Sequence, residues 1–492
     1  VTHDQLLQIA GLVAGCGVAL LLIERDARLR AAAVTLIAVG LVPLGASQGP
    51  SLAHAVSHHP VLVVAAAVAA VGFGVLGVAV ALRWPWLVPI LGLVAALRFP
   101  LANPIRPVHY LVPLYLILAC GLVALLWRAM RGEDPPPSLG AVGLLLGAYE
   151  VVVGASLFWT LDLERGVFEL VATYIPLGIL ASLVARVALD PRFLRALPRV
   201  QVGVALVLAL VAIYEWFAER TFVSNEKLDV SNAYSGMFRV NSLLYDPSLF
   251  GRVEVLAILT VVCVVLLGPP GWRTLATALV APVLFAGLVV TFSQTSFAAL
   301  AAGLVTIAAI AWRRTVAVLL LAGVVALTVG VALSQPQVMK VLNTSVDKAS
   351  SSRVGLATRG VRTFREHPVR GVGLGGFGVA TGDTAEEKAR VAPHNVVVDV
   401  ASELGILGLA IFGSTLVAVI IAIRRLDRPL LRLILAAALV ALVVHGLAYD
   451  QFFSDPTWWT IAVLAAVGAA VPATVAASRD AQSSPEPLGA AT

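Results

Sequence analysis

The chain has 492 residues, of which 59% are hydrophobic and 13% charged, with a formal net charge of +6 and a mean hydropathy of +0.94. A soluble globular protein carries about 25% charged residues, so the composition excludes a set of soluble domains and indicates a polytopic membrane protein built from helices, since a helix satisfies its own backbone in hydrocarbon. The basic balance reflects arginines between apolar runs, and no basic stretch interleaved with aromatics indicates nucleic acid.

In chain order, about fifteen apolar runs are long enough to be candidate spans. They lie near 6–23, 31–46, 61–82, 85–98, 109–127, 139–159, 168–189, 199–218, 250–267, 274–291, 296–312, 315–334, 395–423, 429–449 and 457–476. The second and fourth are short, and the number falls to about twelve if some merge or re-enter. The first run lacks a small-residue cleavage site and reads as a retained helix. The expected organisation is N-terminal helices over 1–218, an extracytoplasmic loop over 219–249 and central helices over 250–334. A large extracytoplasmic loop over 335–394, C-terminal helices over 395–476 and a polar, disordered cytoplasmic tail over 477–492 follow. Cys16, Cys120 and Cys263 all fall inside apolar runs and read as small core residues.

Arginines fill every second connection ("ERDARLR", "RWPW", "WRAMRGEDPPPS", "ARVALDPRFLRALPR", "PPGWR", "WRR", "RRLDRPLLR"). The positive-inside rule puts these in the cytoplasm and the two long loops outside. Long loops without regular structure are usually functional.

The second long loop is expected to hold a short amphipathic helix from Arg353 to Glu366, with Val354, Ala357, Val361 and Phe364 on its apolar face. His367 and Pro368 end it, and the glycines of "GVGLGGFG" permit positive φ and close backbone approach. Residues 335–394 carry nine Lys/Arg against five Asp/Glu. Such a loop suits a phosphate or diphosphate; it equally suits a helix lying on anionic lipid. The glycine run follows no strand and has no P-loop lysine, which argues against a nucleotide loop.

In the first long loop, Arg239 can bind a phosphate from the outer face or snorkel to the interface, and Asp246-Pro247-Ser248 reads as a helix start. His394 stands at the outer end of a span, where an imidazole can take a proton near neutral pH. Asn395 reads as an N-cap, which accounts for it without chemistry. Asp399 and Glu403 share its face, and carboxylates within a span face the protein interior or a water-filled cavity. His54, His58, His59 and His367 show no metal-binding spacing, so neither a metal nor a cofactor is expected.

The runs "FREHPVRGVGLGGFG" and "PHNVVVDVASELGILGLAIFG" together resemble the signature region of the O-antigen ligase/polymerase superfamily. "MFRVNSLLYDPSLFGR" is similar to its upstream segment, and "VHGLAYDQFFSDPTWW" to its late span, which brings in His445. The likeness covers 236–300 and 350–460. Two places depart from the family pattern. Gln294 stands where the family commonly has an arginine, and Asp246-Pro247-Ser248 replaces a more usual Asn-Pro-Asn turn.

The resemblance implies an all-helical GT-C-type membrane glycosyltransferase in cell-surface polysaccharide biosynthesis. Its donor would be a glycan on a polyprenyl (undecaprenyl) diphosphate, and its acceptor a hydroxyl of a glycan, lipid or protein on the outer face of the cytoplasmic membrane. No metal would be required. His394 would be the base, Arg239, Arg353 and Arg359 would contact the diphosphate, and Asn395, Asp399, Glu403 and His445 would support them. Ligase and polymerase share these motifs. A multi-pass transporter or flippase for an anionic or lipid-linked substrate is the rival reading; the absence of two matching halves and the one-sided large loop favour the transferase.

Overall fold

The structure is a computed structural model that describes residues 2–24, 26–48, 60–99, 111–132, 138–235, 238–268, 271–311, 353–382, 393–449 and 452–483. Every regular element among the described residues is helical. In chain order these are α1 (His3–Ile23), α2 (Ala27–Gln48), α3 (Pro60–Arg83), α4 (Leu87–Ala95), α5 (Val112–Met130), α6 (Gly140–Ser156) and α7 (Leu163–Val187). Then come α8 (Pro191–Ala218), α9 (Glu226–Ser235), α10 (Pro247–Leu267), α11 (Trp272–Val289) and α12 (Gln294–Ala311). The last five are α13 (Arg353–Glu366), α14 (Phe377–Thr381), α15 (Val396–Arg424), α16 (Pro429–Gly446) and α17 (Pro456–Ser483).

Nine helices among the described residues are long and apolar enough to cross a membrane, and shorter apolar helices accompany them. The protein is therefore a multi-pass helical membrane bundle. The run expected near 85–98 forms only the short α4, and the one expected near 315–334 lies outside the described residues. The first long loop contains α9. Helix α17 continues through 477–483, into the stretch assigned to the polar tail. The alanine, serine and arginine of "AASRDAQS" tolerate helix well enough to prolong it.

Two main apolar cores organise the bundle. The larger joins α1, α2, α5, α6 and α7 with α15 and α17. The second joins α8, α10, α11, α12 and α16. Lipid supplies no hydrophobic drive between helices, so close backbone packing matters more than in water. Helices α1 and α6 show this. Gly11 and Gly15, four residues apart, face Gly154 and the backbone of Glu150; a Cβ at Gly15 would stand 2.7 Å from the Glu150 carbonyl oxygen.

Helix α7 contains a π-helical turn over Leu170–Tyr174. Such a turn displaces carbonyls from the usual ladder. Two side chains take them up: Tyr115 Oη donates to Val171 O at 2.6 Å, and an Arg98 Nη donates to Ala172 O.

Gly15→Val should lower thermal stability by an amount typical of overpacking, about 1–3 kcal/mol. Gly45→Val, at a glycine with nothing within 4 Å, should leave the melting temperature unchanged. Thermal unfolding in detergent compares the two.

Candidate functional site

The glycine run is a structural splice. Gly371, Gly373 and Gly375 have φ of +66°, +83° and +74°, a conformation open to glycine. On one side the run meets the α6–α7 connection. Trp159 Nε1 donates to Arg370 O at 3.0 Å, Leu161 N to Val372 O at 3.1 Å, and Thr160 Oγ1 to Leu374 O at 2.7 Å. A Cβ on Gly373 would collide with the Thr160 backbone.

On the other side the run meets α15, which is broken at Gly405 (φ +65°, ψ −157°). An unbroken helix would bond Ile406 N to Ser402 O. Here Ile406 N donates to Pro368 O at 2.8 Å, while Val372 N donates to Ser402 O and Gly373 N to Glu403 O, both at 2.9 Å. The Glu403 carboxylate accepts from Phe377 N at 3.4 Å. Glu403 thus holds the loop against the helix break.

His394 immediately precedes α15 in a left-handed backbone conformation (φ +51°). Asn395 is the N-cap: its Oδ1 accepts from Val397 N and Val398 N at 3.0 and 3.2 Å, and its Nδ2 donates to Leu447 O at 2.8 Å. That last bond ties the His394 segment to the end of α16. Tyr449 stands between two imidazoles, with ring centroids 6.1 Å from His394 and 5.6 Å from the buried His445.

Asp399 is half-buried one turn into α15. Arg165, at the start of α7, interacts electrostatically with both Asp399 and Glu403 and bonds Glu169 Oε1 through Nε at 2.9 Å. Sequence reasoning missed Arg165 and Tyr449. The charged run "LDLERG" at a span end was the available signal for Arg165, but nothing local says that it meets α15.

Arg239 is firmly held. Its backbone N and O pair with the Asn232 side-chain amide, both at 2.9 Å, and its Nε donates to Thr291 O at 3.0 Å. That bond fixes the guanidinium beside the α11–α12 turn. The surrounding loop is anchored by the buried Glu215, whose carboxylate accepts from Phe222 N at 2.6 Å and Ser242 N at 2.8 Å. Asp246 caps α10 by accepting from Ser248 N at 2.6 Å, as its sequence indicates. Ser248 and Ser296 both lie within hydrogen-bond reach of Ser293 Oγ, at 3.4 and 2.9 Å. Gln294 follows, exposed, as the first residue of α12.

Helix α13 has the expected limits, but its buried face differs from the expected one. Leu356, Gly360 and Thr363 are buried, whereas Val361 is exposed. Gly360 sets this face, because its missing side chain admits Val398 of α15 and the Phe377 ring. Arg359 is half-buried and donates through Nη1 to Thr381 O at 3.2 Å. Arg353 is the first residue of α13; its side chain lies outside the described residues, as do His54, His58 and His59. His367 is exposed.

A buried ion pair joins the two groups of residues. Arg252 Nε, near the start of α10, meets Asp455 Oδ2 at 2.8 Å, with the side chains 9% and 5% exposed. The Arg239 loop precedes α10, and Asp455 follows α16, whose end holds Asn395. The Arg239 loop, the His394 segment, the glycine run and the α6–α7 connection therefore gather at one end of the bundle. Beside them lies an apolar groove of two adjoining cavities, of about 140 and 480 Å³, which share Val94, Val200 and Val204. One reaches Thr260 and Leu464 between the helices, and the other reaches Phe99 and Leu243, four residues after Arg239.

This assembly defines a multi-pass membrane protein with a polar constellation at one end and an apolar groove near it. Residues 278–413 match the family model described as O-Antigen ligase, so this stretch of the chain is similar to that family. The matched stretch includes Gln294, α13, the glycine run, His394 and the broken part of α15; Arg165, Arg239 and His445 lie outside it. No curated protein matches the chain.

Asp455→Ala should destabilise the protein by about 3 kcal/mol, the scale for removing one partner of a buried ion pair. A melting temperature equal to wild type would show that the pair does not join the two cores energetically.

Proposed function

We propose that the protein is a membrane glycosyltransferase of the O-antigen ligase/polymerase type, moving a glycan from a polyprenyl diphosphate to an acceptor hydroxyl at the extracytoplasmic face. The reading is carried by the meeting of the Arg239 loop and the His394 segment at one end of a chain that is similar to the O-antigen ligase family over residues 278–413. The adjoining groove suits the apolar carrier chain, since its walls are apolar, reach Leu243 and lie between helices.

In this reading the acceptor oxygen attacks the anomeric carbon of the donor glycan. The bond from that carbon to the diphosphate oxygen breaks, and polyprenyl diphosphate leaves with the electron pair. His394 takes the hydroxyl proton. Arg239, Arg353 and Arg359 stabilise charge on the leaving diphosphate, because guanidinium groups match phosphate geometry and act strongly in a partly dry site. Asn395 holds the His394 segment through Leu447, and Glu403 holds the glycine run. Asp399 and His445 complete the surroundings of His394. The acceptor is a glycan, lipid or protein, and the reaction needs no metal.

The test is glycan transfer by the purified protein in lipid, with a polyprenyl-diphosphate oligosaccharide as donor, mixed acceptors and EDTA. Wild type should transfer. His394→Ala should lose at least about a hundredfold, in the range of general-base catalysis. Arg239→Ala should fold normally and bind donor weakly. Unchanged transfer by His394→Ala would remove it as the base, and the product formed by wild type separates ligase from polymerase.

Sidedness is tested separately. A cysteine at position 345 should react with an impermeant thiol reagent only from outside the cell; labelling only from the cytoplasm would invert the orientation.

A further inference from the structure

The opposite end of the bundle holds a second constellation that the proposed reaction does not use. Helix α7 starts beside the glycine run and ends at Val187; its 25 residues extend about 37 Å along a helix axis. Around its far end gather the ends of α1, α3 and α5 and the starts of α2 and α8.

Their charges are organised. Glu24, whose side chain is fully buried, meets Arg30 Nε at 3.1 Å and Arg186 Nη2 at 3.2 Å. Arg186 also lines a cavity of about 140 Å³ together with Arg128 and Asp190. Its remaining walls are apolar, among them Pro85, Val88 and Leu125. Several waters or a phosphate-sized group would fit such a space.

The cationic side chains are committed unequally. Arg128 donates through Nη2 to Leu82 O at 3.0 Å. Arg186 Nε is buried and has no hydrogen-bond partner among the described residues, although the side chain as a whole is 18% exposed. A buried charged donor left unsatisfied is costly, so an acceptor beyond the described residues is expected there. Among the described residues of the lining, Asp190 is the one carboxylate. Its Oδ1 is occupied in accepting from Arg192 N at 2.7 Å as the N-cap of α8, where the helix dipole favours negative charge.

The rim fits a lipid rather than open solvent. Trp84 and Trp127 are exposed beside it, with the Arg131 guanidinium 4.7 Å from the Trp127 ring centroid. Tryptophan and arginine at a helix end mark the headgroup level of a bilayer. Met130, Val123 and Leu91 are exposed on the same helices, where acyl chains would lie.

We propose that this cavity binds the phosphate of an anionic phospholipid in the leaflet opposite the candidate site, through Arg186 and Arg128. The ligand chemistry is a phosphate ester or phosphate ion accepting guanidinium hydrogen bonds. The site is independent of the transfer reaction, and its test does not require activity.

The full-length protein in a neutral detergent is titrated with dihexanoyl phosphatidylglycerol, with dihexanoyl phosphatidylcholine and with inorganic phosphate, following tryptophan fluorescence. Phosphatidylglycerol should bind saturably, and phosphatidylcholine at least tenfold more weakly. Arg186→Gln and Arg128→Gln should each weaken phosphatidylglycerol at least tenfold, and Arg186→Lys should weaken it less. Inorganic phosphate binding as tightly as the lipid would keep the site and name free phosphate as its ligand. No saturable binding, equal binding of phosphatidylcholine, or unchanged affinity in both glutamine variants would overturn the proposal. Arg186→Gln disturbs the Glu24 pair; should it fail to fold, Arg128→Gln and Arg186→Lys carry the comparison.

Discussion

The rest of the structure depends on the backbone exchange between the glycine run and the broken helix α15. Within a membrane bundle an interrupted helix must find new partners for its amide and carbonyl groups, because hydrocarbon offers none. At Gly405 those partners come from residues 368–373: Pro368 O takes the Ile406 amide, and Val372 N and Gly373 N take the carbonyls of Ser402 and Glu403. Glycine is required at 371 and 373 because a Cβ there would collide with the backbones of Glu403 and Thr160. The break turns the first two turns of α15 into a separate platform. That platform carries Asn395, Asp399 and Glu403, with His394 at its head.

A second connection brings that platform to the other core. The segment around 452–459 packs its aromatic side chains on the first core, with Phe453 stacked on Tyr149 at 4.5 Å and edge-on to Phe412 at 5.4 Å. The same segment sends Asp455 to Arg252 on α10. The Arg239 loop therefore has a fixed relation to the end of α16, where Asn395 binds. Residues more than 150 positions apart in sequence are joined by short-range bonds at one end of the bundle.

The two ends of the bundle differ in how charge is handled. At the end with the glycine run, carboxylates are answered by backbone amides and by Arg165. At the far end, a buried glutamate gathers two arginines, and among the described residues more guanidinium than carboxylate lines a cavity. This asymmetry follows the alternation of arginine-rich connections along the chain, which is also what sets membrane orientation. An anionic surface on the far side would meet that excess directly.

Much of the local structure of the candidate site was legible because local rules governed it. Asp246 and Asn395 are recognisable caps, and the limits of α13 follow from its apolar spacing and from His367-Pro368. The order of the arginine, glycine and His-Asn segments was enough to point to the family that the domain match supports. Long-range geometry was not legible. The exposed Val361 was expected on the buried face of α13, because a glycine facing Val398 decides that face only after two helices meet. Arg165 and Tyr449 join the site through packing that no local pattern encodes. The sequence by itself determined a helical membrane protein, where most of its described apolar helices lie and which residues are candidates for chemistry, since hydropathy and capping act within a few residues. Only the tertiary structure decided which glycines splice a broken helix, which arginines face carboxylates and which line a cavity, because those depend on backbones brought together across the whole chain.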